Sequence, residues 1–198
     1  NDSTIKTYVD NWYKNNLTAY TKYLSNDAVY CNDRNITSGY TYSTTNLFYY
    51  ATFGRIYLNK QPTYNCTNMS DAFSVNNTRA KLDYPIGLMT VDEAAFAGGE
   101  KETSLTAPYA WYYTNANGES ITGNRSSCSL SPSYWYSSVV YNWALLGSDD
   151  PGFLGTGRVG DPGVVRPSVS LLSCNLISGG DGNPENPYEI YTSNGVCE

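Results

Sequence analysis

Four groups of side chains have the types and spacing to do chemistry. They are the adjacent acids Asp92 and Glu93; the loop acids Asp149, Asp150, Asp161 and Asp181; five cysteines; and the aromatics set among serines in "SYWYSSVVYNW". The chain has no histidine, which removes the commonest general base near neutral pH and a common zinc ligand. An enzyme would have to work with carboxylates, thiols, phenols or amines. Two carboxylates about 5 to 10 Å apart across a cleft would suit a glycosidase. Asp92 and Glu93 instead follow Thr90 in "TVDE". That pattern predicts a capping box, with Thr90 at the helix start and Glu93 reaching back to its N–H. Acids in a first turn also suit the helix dipole, so the pair reads as structural.

The loop acids offer the oxygen ligands that calcium takes, but no spacing resembles an EF-hand, and Gly-Asp-Gly turns form for backbone reasons alone. The glycine-rich run Gly152 to Gly163 has no helix pattern after it and no Walker lysine, which argues against a phosphate cradle. No metal and no cofactor is expected. Cys31, Cys66, Cys128, Cys174 and Cys197 form no C-x-x-C pair, which argues against a zinc site or a thioredoxin-like motif. In an exported protein four would pair and one would remain. Cys31 with Cys66 and Cys174 with Cys197 are the expected bridges, although spacing alone does not fix connectivity. Asparagines 16, 35, 65, 68, 76 and 124 begin N-x-S/T sequons that matter only in a source that glycosylates them.

The aromatics remain. Tyr occurs 20 times in 198 residues, and aromatics and charged residues each make up 15% of the chain. The charged share lies well below the usual quarter, and Ser, Thr and Asn supply the polarity instead. Tyrosines between residues 8 and 64 read as core. Tyr134, Trp135, Tyr136 and Tyr141 read equally as core or as contact surface. A contact surface would be either a platform for sugar rings or a paratope-like face of rigid Tyr and adaptable Ser, Gly and Asn. Net charge is -6 with Lys and Arg scattered singly, which excludes the basic patch that nucleic acid requires. No apolar run reaches the length of a membrane span, so no membrane insertion is expected. The chain begins in polar sequence with no signal peptide, as expected of a processed protein or of a piece of a longer one.

The elements that must position these residues are partly legible. Apolar residues at Ile5, Tyr8, Val9, Trp12, Tyr13 and Leu17 predict a helix capped by Asp2 or Ser3. "TVDE" starts a second, short helix that stops at Gly98-Gly99. Short strands and a helical turn near Phe48 to Ile56 are expected. "APYAWYYTNANGES" reads as a strand ending in an Asn117-Gly118 turn. "VVRPSVSL" and "YEIY" read as strands, the latter after a Gly179 to Gly182 turn. Between Ser133 and Leu171 the glycines, aspartates and prolines read as irregular loop. Residues 1–198 read as one domain, either a mature chain or the C-terminal part of a longer exported protein.

"YPIGLMTVDEAAFAGG", "SLSPSYW", "GVVRPSVSL" and "SGGDGNPENPYEI" together resemble a widespread domain of exported proteins in Gram-positive gut bacteria. That domain has the C-type lectin fold in its formylglycine-generating-enzyme-like branch. The matching positions are the helix start at Gly87, Leu88, Thr90, Asp92 and Glu93, the turn Ser129 to Pro132, and the strand Gly163 to Leu171 around Val165-Arg166-Pro167. Ser168, between Pro167 and Val169, departs from the pattern. The resemblance implies an α+β fold: a small twisted antiparallel sheet flanked by two helices, with long irregular loops and Arg166 buried for structural reasons. The enzyme branch uses a cysteine pair and a metal. This chain lacks histidine and an evident active-site pair, so its chemistry is not carried over. Some of the wider group resemble targets of diversity-generating retroelements, whose NNY codons cannot encode Lys, Glu, Gln, Met or Trp. Residues 124–164 contain no Lys, Glu, Gln or Met. Trp135 and Trp143 would then be fixed positions. Cys128 would be a product of variation or a cysteine paired elsewhere.

These readings converge on a non-enzymatic ligand-binding domain, extracellular or at the cell surface, acting as an adhesin or receptor-binding module. Its variable face would take a protein or glycan ligand on another cell or particle. The expected contact residues are Tyr134, Tyr136, Ser138, Tyr141, Asp149, Asp150, Phe153, Arg158 and Asp161. The alternatives are a structural subunit or stalk domain of a pilus or surface appendage, and a two-carboxylate glycosidase.

Overall fold

The expected N-terminal helix forms as α1 (Thr4–Asn16), with the Ser3 hydroxyl accepting from the Lys6 N–H at 3.2 Å. Its period buries Val9 and Tyr13 and leaves Tyr8 and Trp12 exposed. A short 3-10 helix follows at Thr18–Tyr23. The computed structural model describes residues 2–105, 127–147, 149–183 and 186–191, and it mixes α and β.

Short strands come next: β1 (Tyr30–Cys31) and β2 (Phe48–Tyr49). Helix α2 (Ala51–Phe53) runs directly into a π-helical stretch, Gly54–Asn59. After β3 (Ala72–Phe73) and β4 (Gly87–Leu88), α3 (Val91–Phe96) begins with the predicted capping box. Thr90 Oγ1 accepts from Glu93 N at 3.1 Å, and Thr90 N donates to Glu93 Oε2 at 2.7 Å. The remaining strands are β5 (Glu100–Lys101), β6 (Ser127–Tyr136), β7 (Val139–Leu145), β8 (Phe153–Arg158), β9 (Pro167–Ser168), β10 (Ile177–Gly179) and β11 (Glu189–Ile190).

The main sheet has the order β2-β6-β7-β8-β5, antiparallel except where β5 runs parallel to β8. Its three central strands therefore come from the stretch whose composition reads as irregular loop. The expected turn at Ser129 to Pro132 lies inside β6, where the ladder with β7 is interrupted between Cys128 and Pro132 and again between Pro132 and Tyr134. The strand expected over Gly163 to Leu171 is mostly unpaired. Only Pro167 and Ser168 ladder with β4, and single bridges tie Val164 to Ser127 and Leu171 to Leu24. The expected turn between Gly179 and Gly182 joins β10 to β11. Gly180 has φ +85, and a Cβ there would sit 2.1 Å from the Pro187 carbonyl oxygen.

Cys31 and Cys66 form the expected disulfide, and Cys174 is also disulfide-bonded. Cys197, the strand before Asn117 and the Asn117-Gly118 turn lie outside the described residues. Ile56, Val91, Ala94, Trp143, Leu145 and Leu154 form one core cluster, where the π-helical stretch and α3 cover the sheet. Helix α1 packs Val9 and Tyr13 into a second cluster with Leu24, Ile86 and Leu88. Arg166 is half-buried and shares a small cavity with Trp143, Ala144 and Leu154. No helix among the described residues is long and apolar enough to cross a membrane.

Candidate functional site

Strand register places one large polar side chain from each of four neighbouring strands in a single row. Tyr49 on β2 pairs with Tyr134 on β6, Tyr134 with Tyr141 on β7, and Tyr141 with Arg158 on β8. Directly opposed residues share a sheet face, so the four side chains are cross-strand neighbours. The Tyr134 and Tyr141 rings stack at 4.4 Å and 13°. Tyr49 lies 5.9 Å from Tyr134, tilted at 58°, and Arg158 Nε donates to the Tyr141 hydroxyl at 3.3 Å. Tyr40 meets Tyr49 edge-on at 5.0 Å and extends the row.

The row is tied to the core. Phe53 of α2 stacks on Tyr49 at 4.0 Å and lies 6.2 Å from Trp143. Trp143 sits two residues beyond Tyr141, on the same face of β7, and is fully buried. The sheet face thus passes from core to solvent within one strand repeat. Burial raises the Tyr49 phenol above its ordinary value, and the neighbouring phenols of Tyr40 and Tyr134 add to this. The hydrogen bond that Arg158 donates to Tyr141 raises the guanidinium, which is charged at any relevant pH. At neutral pH the row is a comb of hydroxyls ended by a guanidinium.

The turn beside it explains why the hairpin is hard to read. Ser137 and Ser138 take φ +52 and +67. Two consecutive left-handed residues are the geometry of a tight type I′ hairpin, which usually uses Asn-Gly. Tyr136 and Ser138 are exposed there. Asp161 follows Arg158 in a tight turn, its N–H donating to the Arg158 carbonyl at 3.0 Å.

Of the nine expected contact residues, the fold gathers Tyr134, Tyr136, Ser138, Tyr141, Arg158 and Asp161 at this end. Asp149, Asp150 and Phe153 belong to the other end of the hairpin between β7 and β8. Leu145 lies four positions beyond Tyr141 there, about 13 Å of strand. Asp150 accepts from Ser104 Oγ at 2.9 Å, and Phe153 pairs with Glu100. Tyr40 and Tyr49 join the row although their sequence context reads as core. The one signal for Tyr49 is its place in "LFYY", where alternation sends Phe48 inward and Tyr49 to the other face.

Asp92, Asp71 and Asp181 are occupied. Asp92 accepts from Arg55 Nε at 3.0 Å, from Arg55 Nη2 at 2.7 Å and from Thr63 N at 2.8 Å, while Arg55 Nη1 reaches Asp33 at 2.6 Å. Fully buried Asp71 takes Arg34 Nε at 2.5 Å and Asn68 Nδ2 at 3.1 Å. Asp181 accepts from Asn183 N at 3.0 Å, and this bond first, then one from Asn186, lowers its carboxyl. Among the described residues, the carboxylates that converge are Asp2, Asp10 and Asp83, gathered around the Lys6 ammonium. The stretch Gly155-Thr156-Gly157-Arg158-Val159-Gly160 has G-x-G-x-x-G spacing, but it is the strand β8 and a turn, and the next element is β9. Among the described residues no helix begins after it to receive a phosphate.

Comparison with known proteins finds no matching family model, no matching curated protein and no matching solved structure.

Proposed function

We propose that the chain is a non-enzymatic, surface-displayed ligand-binding domain of C-type lectin-like type. It would contact a protein ligand through Tyr49, Tyr134, Tyr141 and Arg158, with Tyr136, Ser138 and Asp161 at the margin. The observation that carries this reading is the single-register row spanning four strands. Tyrosines held on strands offer contact area at small entropic cost, and Tyr and Arg are enriched among residues that dominate interfaces. Tyr134 and Tyr141 lie face to face, so those faces are not open to a pyranose ring, which favours a protein over a glycan. The buried acids Asp71 and Asp92 are tied to arginines, which supports a binding role over a two-carboxylate reaction. Disulfides at Cys31–Cys66 and at Cys174 suit an oxidising, extracellular setting.

If a retroelement diversifies residues 124–164, the positions free to vary are those at the exposed hairpin end, because Trp143, Leu145 and Leu154 carry the core. A near-copy of the coding segment, differing at adenines and beside a reverse-transcriptase gene, is the expected genomic sign. Its absence removes diversification and leaves the ligand face.

The direct test screens the purified domain by biolayer interferometry against arrayed ectodomains and arrayed glycans. The expected result is a protein partner whose affinity falls at least about tenfold in Tyr134→Ala, Tyr141→Ala and Arg158→Ala. Asp149→Ala and Asp150→Ala should leave it unchanged. Binding to glycans alone, or binding indifferent to the row, overturns the proposal.

A further inference from the structure

The hydrophobic interior is not continuous beneath α1. One cluster centres on Val9, Tyr13, Ile86 and Leu88, and another on Ala28, Tyr30 and Leu82. Leu130 packs against both. Where the two would merge there is a cavity of about 210 Å³, half open to solvent, between α1 and the strands β1, β3 and β4. Ile5, Val9, Phe73, Leu82, Ile86 and Leu130 supply its apolar lining. Tyr30 forms a fixed wall: its hydroxyl donates to the Pro85 carbonyl at 3.0 Å, and its ring lies so close to Gly87 that a Cβ there would sit 2.5 Å away.

Beside Ser3, whose hydroxyl caps α1, two polar residues define what the cavity would accept. Half-buried Asn32 lines it; its backbone N–H donates to the Asp71 carbonyl at 2.9 Å, and its side-chain amide has no partner among the described residues. Lys6 lines it as well, with its ammonium held by Asp10 at 2.6 Å, Asp83 at 3.0 Å and Asp2 at 3.3 Å. Three carboxylates against one ammonium leave that side net negative and repel an anion. On size, an apolar cavity of about 150 Å³ takes benzene, so this larger one has room for a second ring.

We propose that this cavity binds a small neutral aromatic molecule of one or two rings, its apolar body among Val9, Leu82, Ile86 and Leu130 and one polar atom at Asn32. The site is separate from the tyrosine row and does not depend on it.

Indole is the probe, with its anionic analogue indole-3-acetate as the comparison, titrated into the whole domain by calorimetry and by NMR. Saturable one-to-one binding of indole is expected, with indole-3-acetate weaker by at least about tenfold. Val9→Phe and Leu130→Phe fill the cavity, and a folded variant of either kind should lose indole affinity by about tenfold or more. Failure of the wild-type domain to bind indole at millimolar concentration overturns the proposal, as does undiminished binding in a folded, filled variant. Where neither variant folds, intermolecular NOEs on the wild type decide: contacts from indole to Leu82 and Ile86 methyls support the site, and contacts elsewhere overturn it.

Discussion

Replacing Thr52 with valine tests how the site is held to the core. Thr52 is fully buried in α2. Its hydroxyl accepts from the Trp143 indole N–H at 3.1 Å and donates to the Pro132 carbonyl. One oxygen therefore joins the helix, the interrupted part of β6 and the central aromatic of β7. Valine keeps the shape and deletes both bonds. Trp143 and Pro132 are themselves buried, so neither orphaned group gains water. Leaving a buried polar group unpaired costs about 1–3 kcal/mol. Two such groups, with some relaxation where β6 is irregular, give a loss of about 3 kcal/mol, or roughly 6–12 °C in a domain of this size. Urea unfolding followed by tryptophan fluorescence should show a lower midpoint with an unchanged slope. Ser133→Ala is the control. Its hydroxyl is also fully buried but has no partner among the described residues, so its removal should change stability by less than about 0.5 kcal/mol or raise it. In a double-mutant cycle with Trp143→Phe, at least about 1 kcal/mol of coupling should appear. A Thr52→Val loss under about 0.5 kcal/mol, or equal losses for Thr52→Val and Ser133→Ala, would refute the reasoning.

Asp92→Asn should destabilise the fold by about 3 kcal/mol, because it leaves the Arg55 guanidinium under-compensated in a largely buried network; a near-neutral result in calorimetry would show that Asp33 alone suffices. The double variant Cys31→Ser with Cys66→Ser opens a cross-link of sequence separation 35, worth about 4 kcal/mol as chain entropy; a loss under about 1 kcal/mol would mean that the unfolded chain keeps structure across this loop without the cross-link. Stability should be nearly flat from about pH 6 to 9, where histidine normally titrates and this chain has none. Burial raises the phenols of Tyr13, Tyr30, Tyr49 and Tyr50. Burial lowers Lys6, but hydrogen bonds to Asp10, Asp83 and Asp2 outweigh it and raise the group overall. Each contribution is fully present below about pH 10, near the unfolded-chain values, and is lost as pH rises through the raised folded values. Urea midpoints should therefore fall only above about pH 10, and a decline that begins near neutrality would contradict this.

What was legible in the sequence divides along physical lines. Both helices with caps could be read, because capping is local: Ser3 and Thr90 each bind a backbone N–H three residues on. The glycine turn before β11 was legible for a similar reason, whereas the Cys31–Cys66 bridge was one of two expected pairings and the α+β class was implied by the resemblance. The three central strands were not, and β6 shows why. A half-buried strand is normally recognised by apolar residues on alternate positions. In β6 the alternate positions Ser127, Ser129, Ser131 and Ser133 are all buried serines. Small residues there let the helical layer approach closely, and Ser131 Oγ accepts from Val91 N at the start of α3 at 3.1 Å. The pattern therefore reads as polar surface although it faces inward. The turn that follows is equally silent, since Ser137-Ser138 adopts positive φ without the Gly or Asn that marks such turns. With the strands hidden, no periodicity could place Tyr134 opposite Tyr141, or bring Tyr49 from a different part of the chain beside them. Residue types alone supplied Tyr134, Tyr136, Ser138, Tyr141, Arg158 and Asp161 as contact candidates. The pairings of β6 with β7 and of β7 with β8 align three of those side chains, and the pairing of β2 with β6, a contact between residues more than 80 positions apart, adds Tyr49 to the row.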